Sequence, residues 1–217
     1  MITKHEFNDR SEWLQSRQGY IGGSEAAAVI GLNPYMCNVD LWQIKTSRQK
    51  PEDISDKPYV KYGTKAEDHL RELFALDFPQ YDVTHDEHAI YVNDKYPFAH
   101  ASLDGELLEK ETGRRGILEI KTTEILRSMQ KEKWKDQIPD NYYIQILHYL
   151  MVTECEFAIL KAQLKYDFDG DIYLQTRHYK IERSDVQQDI DFLADSEANF
   201  WQHVKDDTCP PIILPQV

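Results

Sequence analysis

Residues 116–121 read Gly-Ile-Leu-Glu-Ile-Lys, an apolar, β-forming run that carries an acid and a base two positions apart. Side chains alternate across a strand, so Glu119 and Lys121 share one face while Leu118 and Ile120 take the other. An isolated E-x-K is ordinarily an exposed polar stripe on an edge strand. Here the apolar flanks argue instead for a strand buried on its other face.

The segment Ala101-Ser102-Leu103-Asp104-Gly105 precedes it. Asp104 falls at the end of a strand expected over residues 98–103, Gly105 permits a sharp turn, and an antiparallel neighbour would bring the carboxylate beside Glu119. Two adjacent carboxylates repel unless a cation lies between them, and hard oxygen ligands suit Mg²⁺ or Mn²⁺.

The remaining periodicity predicts strands over 87–92, 158–164 and 173–181. Helices are expected over 24–30, with Ser24 as N-cap and Gly31 past its end, over 64–78, and over 142–152. The second of these places Ala66, Leu70, Leu73 and Phe74 on one face. A last helix begins at a Ser184 cap and turns Val186, Ile190, Leu193, Phe200, Trp201 and Val204 inward. Its Asp189, Asp191, Asp195 and Glu197 are read as a solvated face. The order predicts a mixed α/β domain with a central mixed sheet flanked by helices. The 217 residues are expected to form a single domain, with an N-terminal helical part over 1–50 and the sheet core with its flanking helices over 51–217. The polar stretch 47–57 would join them.

The net charge of −13 argues against a protein that coats nucleic acid nonspecifically. A nuclease meets this difficulty by gathering Lys and Arg in one cleft and recruiting divalent cations there. There is no leader pattern and no apolar run near the roughly 20 residues of a spanning helix, so a cytoplasmic, membrane-free protein is expected. Cys37, Cys155 and Cys209 fit reduced thiols and cannot supply the four thiolates of a cubane iron-sulfur cluster. No phosphate-binding Gly-rich loop with its Lys is present, so no ATP is expected. His85, His88, His100 and His148 lack the spacing of zinc ligands.

Five segments occur in a telling order: Arg17-Gln18-Gly19-Tyr20-Ile21-Gly22-Gly23-Ser24-Glu25, Tyr62-Gly63-Thr64-Lys65-Ala66-Glu67, Leu103-Asp104-Gly105, Leu118-Glu119-Ile120-Lys121, and the helix with Gln145 and Tyr149. In these the sequence resembles the YqaJ-like viral recombinase and phage lambda exonuclease family of the PD-(D/E)xK nuclease superfamily. The resemblance runs from about Trp13 to Leu150. It departs where many relatives carry Pro before the metal-binding Asp and this chain has Leu103, which bears on strand geometry more than on ligands.

The resemblance implies a restriction-endonuclease-like core and a 5′-to-3′ double-strand DNA exonuclease that leaves 3′ single-stranded overhangs in phage-type recombination. It implies Asp104, Glu119 and the backbone carbonyl of Ile120 as ligands of Mg²⁺ or Mn²⁺, two ions per site, with Glu67 completing the environment through water. Lys121 would orient or help deprotonate the attacking water, Gln145 would position that water or Lys121, and Arg17 and Ser24 would grip DNA phosphates. Duplex DNA ends, a trimeric ring and a single-strand annealing protein are the implied partners, and the host cytoplasm the implied place for a phage-encoded chain. Each residue also has a plainer reading: Ser24 as an N-cap, Glu67 as a first-turn acid favoured by the helix dipole, Gln145 as a polar neighbour of Ile144 and Leu147, Arg17 as the partner of a surface acid. A structure-specific or restriction-like endonuclease on the same core, and a catalytically silent DNA-binding protein, are the rival functions.

Overall fold

The computed structural model describes residues 1–125 and 128–215. In chain order these form β1 (Ile2–Glu6), α1 (Arg10–Arg17), β2 (Ile21–Gly22), α2 (Gly23–Val29), α3 (Asn38–Lys45), α4 (Pro58–Asp77), β3 (Tyr81–Thr84), β4 (Ala89–Asn93), β5 (Ala99–Ala101), β6 (Gly105–Glu109), β7 (Arg115–Glu124), α5 (Ser128–Glu132), α6 (Asp140–Thr153), β8 (Phe157–Phe168), β9 (Asp171–Glu182) and α7 (Gln187–Lys205). The strands make two mixed sheets, ordered β1-β4-β5-β2 and β3-β6-β7-β8-β9. No described helix is long and apolar enough to cross a membrane.

Strand β7 organises the larger sheet. It pairs antiparallel with β6 and parallel with β8, and the parallel step requires a crossover, which α6 supplies. Its two faces feed separate cores. Ile117 packs with Ile146, Leu147 and Leu150 of α6 and with Ala158 and Leu160 of β8, whereas Leu118 and Ile120 pack with Leu70 and Phe74 of α4. Gly116 is required here, because a Cβ would stand 2.3 Å from the ring of Phe157. Helix α6 is buried continuously from Ile144 to Thr153, enclosed by both sheets, α2 and α7, so its polar Gln145 and His148 must find partners inside.

Several expectations are corrected. Asp104 precedes β6 rather than ending a long strand over 98–103, and the antiparallel neighbour of β7 is the strand that follows it. Strands β1, β2, β3 and β6 were outside the sequence reading. Helix α2 is capped at Gly22, with Glu25 Oε2 accepting from the Gly22 N–H at 2.8 Å, so Ser24 is not its cap. Ser184 lies in a 3₁₀ turn that runs into α7. Leu73 is 50% exposed while Leu70 and Phe74 are buried. Glu197 does not belong to the solvated face: it is fully buried, its Oε1 2.7 Å from Nδ1 of His148.

Candidate active site

The alternation of β7 turns Glu119 and Lys121 towards α6. Glu119 is 1% exposed, and its Oε1 accepts from Lys121 Nζ at 2.6 Å and from Gln145 Nε2 at 2.7 Å. Its Oε2 is buried without a hydrogen-bond partner among the described residues. A buried carboxylate oxygen in that condition carries an uncompensated desolvation cost. Burial first, and the nearby Asp104 second, push the Glu119 carboxyl up to about 8. For Lys121, burial favours the neutral amine, but the charges of Glu119 and Asp104 outweigh it and hold the ammonium above its ordinary range. The same ammonium lies 5.3 Å from the ring centre of Tyr142.

Asp104 reaches the site because the β6–β7 ladder stops. Its last pair is Gly105 with Leu118, and beyond it the Ile120 N–H donates to Asp104 Oδ2 at 2.8 Å in place of a strand partner. In a strand the carbonyl of a residue points to the same edge as its N–H, so the Ile120 carbonyl also leaves β7 on the Asp104 side.

Helix α4 delivers Glu67 from the other face of the sheet. The helix crosses β7 closely enough that a Cβ on Gly63 would lie 3.1 Å from Thr122 Oγ1. Arg71, one turn after Glu67, ties the two acids together: Nη2 bonds Glu67 Oε1 at 2.8 Å, Nε bonds the Asp104 carbonyl at 2.5 Å, and Nη1 meets Asp68 Oδ1 at 2.8 Å. Burial, then Asp104, raise Glu67 to about 7 despite this guanidinium. On α6, Gln145 Nε2 also donates to the Tyr149 hydroxyl at 3.0 Å.

Glu67, Asp104, Glu119, Lys121 and Gln145 are thus brought together. Among the described residues no hydrogen bond or ion pair joins Arg17 or Ser24 to that cluster. The Arg17 guanidinium stacks 4.2 Å from the Trp13 ring centre, and its charge, after burial, helps hold His100 well below the usual histidine range. Ser24 is an exposed first-turn residue of α2, next to Gly23, which touches Tyr149. Arg71 was missed by the sequence reading, although its spacing of four residues from Glu67 is the one that pairs charges along a helix.

No three His, Cys, Asp or Glu side chains among the described residues form a ready metal cage. The donors nonetheless fit a hard divalent cation: carboxylate oxygens and a backbone carbonyl stand at one edge of β7, one buried oxygen of Glu119 has no hydrogen-bond partner among the described residues, and the Asp104 charge adds to burial in raising Glu119 and Glu67 despite Lys121 and Arg71 beside them.

The YqaJ-like viral recombinase domain matches residues 12–156. The chain belongs to that family. A relative, the uncharacterized protein YqaJ of Bacillus subtilis, is 30% identical over 202 residues, covering 93% of this chain. The chain spans 58% of that protein's length. Among solved structures, the alkaline exonuclease LHK-Exo of Laribacter hongkongensis superposes with a TM-score of 0.58 at 15% identity, over 90% of this chain and 95% of that one. The same enzyme in complex with dAMP gives 0.59 at 16% identity, over 90% and 95%. A phage-related exonuclease from Haemophilus somnus gives 0.53 at 13% identity, over 87% and 96%. These likenesses establish the restriction-endonuclease-like fold, and the matched span agrees with the one expected from the motifs.

Proposed function

We propose that this chain is a Mg²⁺-dependent DNA exonuclease that degrades one strand of duplex DNA from its 5′ end and leaves a 3′ overhang. The observation that carries this reading is the buried Glu119 with its unpartnered Oε2, set beside Asp104 and paired to Lys121. Asp104, Glu119 and the Ile120 carbonyl would hold the cations, Mg²⁺ or Mn²⁺ and two per site, with Glu67 acting through water. Bound there, the cations supply charge for the phosphoryl oxygens and acidify a water nucleophile.

The chain's own residues do the rest. Lys121, kept protonated by its acidic neighbours, holds the scissile phosphate and orients water instead of removing its proton. Gln145 fixes the Glu119 carboxylate from α6, and Arg71 fixes Glu67 to the Asp104 loop. Arg17 and Ser24 would receive phosphates at the strand end. The structural likeness to exonucleases supports the activity, and family membership supports a role in recombination, with a single-strand annealing protein as partner, a trimeric ring as assembly and the cytoplasm as location.

The test is digestion of end-labelled linear duplex, with Mg²⁺ or with chelator, beside a covalently closed circle. Mg²⁺-dependent loss of the 5′-labelled strand with an intact circle is expected. Nicking of the circle would replace the exonuclease by an endonuclease, and DNA binding without cleavage would replace it by a silent binding protein.

A further inference from the structure

One flank of α4 forms a groove that the proposed chemistry does not use. Tyr62, Lys65, Ala66, His69 and Leu73 follow one another at helical spacing, and Gln163 of β8 faces them across an open groove of about 360 Å³. The Tyr62 hydroxyl donates to Gln163 Oε1 at 2.7 Å, and the Lys165 ammonium lies 5.8 Å from the Tyr62 ring centre. The groove opens beside the candidate active site. Gly63 abuts Thr122, the residue after Lys121; Thr122 is the register partner of Gln163; and Ala66 adjoins Glu67.

Its chemistry is unlike the rest of an acidic surface. Lys65 is exposed and has no acidic partner among the described residues, while Lys165 shares its charge with Glu124 at 3.3 Å. The Tyr62 ring lies one turn before Lys65 on the helix and under the Lys165 ammonium, and the half-exposed Leu73 follows two turns after Lys65. Paired bases in a duplex hide their faces and offer nothing to such a floor, whereas unpaired bases stack on aromatic rings as cations track the backbone. We propose that this groove binds single-stranded DNA leading to or from the active site, an inference that rests on the DNA-exonuclease reading of the neighbouring residues.

The experiment measures anisotropy of a labelled oligodeoxythymidine in EDTA, so that no cleavage occurs, for the parent, Tyr62→Ala, Tyr62→Phe and the double variant Lys65→Glu/Lys165→Glu. Tyr62→Ala should bind roughly tenfold more weakly, as for one lost stacking platform, while Tyr62→Phe keeps the ring and binds like the parent. The double variant should bind more weakly and with a shallower dependence on salt. All variants should hydrolyse bis(p-nitrophenyl) phosphate with Mg²⁺ at the parent rate, because that small diester does not extend into the groove. Unchanged oligonucleotide affinity in both Tyr62→Ala and the double variant overturns the proposal, whether or not the protein cuts DNA. Weakened binding in a protein whose parent form hydrolyses no phosphodiester would instead sink the exonuclease reading and leave the groove standing. If light scattering shows that Tyr62→Ala splits an oligomer, the groove is covered by a second copy of the chain and the proposal falls.

Discussion

The ring of Tyr149 stands where a side chain on Gly23 would be, with Cε1 2.3 Å from the place of a Cβ. Because the Tyr149 hydroxyl takes a hydrogen bond from Gln145, and Gln145 bonds Glu119, the start of α2 is coupled to the buried acid through one packing contact and two hydrogen bonds. Gly23→Ala must therefore displace the ring from a packed core, at a cost of about 1–3 kcal/mol. A lower melting temperature together with a slower cleavage rate is expected. A variant with both unchanged would show that the ring moves freely and that the coupling is absent.

The two raised carboxyls give the metal-free protein a characteristic pH dependence. Glu119 is pushed up to about 8 and Glu67 to about 7, in both cases by burial first and Asp104 second. The folded protein thus keeps protons that the unfolded chain has already released. That stabilisation is complete below the ordinary carboxylate range and is lost as pH rises through about 7 and then about 8. In EDTA, the melting temperature of the parent should fall over this window relative to Glu119→Gln, which has no such proton to lose. Mg²⁺ should restore the parent at the alkaline end and release protons on binding, because its ligands are the deprotonated carboxylates. Melts across a pH series with EDTA or Mg²⁺ make the comparison; parallel curves for the two proteins would refute the assignment.

Glu119 and Lys121 serve different ends and should fail differently. Glu119→Gln is expected to abolish cleavage while DNA binding survives, since it weakens the cation site more than the fold. Lys121→Ala should lose rate even at saturating Mg²⁺, because the ammonium acts on phosphate and water. Initial rates across a Mg²⁺ titration separate the two, and recovery of Lys121→Ala to the parent rate at high Mg²⁺ would contradict its role.

What the sequence made legible follows from the range of each interaction. The period-2 pattern of residues 116–121 is local, so the shared face of Glu119 and Lys121 could be read directly. Strand β6, Gly-Glu-Leu-Leu-Glu, has little β-forming character and exists because β3 and β7 flank it, which is why Asp104 was assigned to the wrong strand. Glu197 was legible in principle: it follows Leu193 by four residues and Ile190 by seven, so it lies on the buried stripe. Its partner, 49 residues away on α6, was not. Arg71 was half legible, as the helical neighbour of Glu67, but its bond to the Asp104 carbonyl is purely tertiary.

The His148–Glu197 pair makes a prediction about stability. His148 Nε2 faces the His100 carbonyl at 2.9 Å and must donate there, so the 2.7 Å contact of Nδ1 with Glu197 Oε1 needs a second proton, on the imidazole or on the carboxyl. Burial lowers the His148 pKa, but the Glu197 charge and hydrogen bond prevail and raise it, which favours imidazolium against carboxylate. Glu197→Ala removes one partner of a buried pair and should cost about 3–5 kcal/mol. Glu197→Gln should cost much less, since its amide N–H can donate to the Nδ1 of a neutral imidazole. Urea unfolding at one pH measures both, and equal losses would show that the acid's volume matters and its hydrogen bond does not.

Arg17 addresses how a chain of net charge −13 grips DNA. Its guanidinium carbon lies over the Trp13 ring, 4.2 Å from the centre, and the indole Nε1–H donates to the Ala89 carbonyl of β4 at 3.3 Å, so the charge rests on a side chain that is itself anchored to the sheet. A stacked guanidinium keeps its in-plane N–H donors for phosphate oxygens, and no deprotonation at working pH weakens them. Arg17→Ala should leave the fold nearly unchanged, slow digestion and make it more sensitive to salt. If the lost contact is to a terminal phosphate, a 5′-phosphorylated duplex should lose more of its rate than a 5′-hydroxyl duplex. Arg17→Lys should recover the salt tolerance only in part, because an ammonium neither stacks on Trp13 as a plane nor offers a fork of donors. Initial rates on the two ends across a salt series decide the point; equal losses on both would show that Arg17 does not read the terminal phosphate.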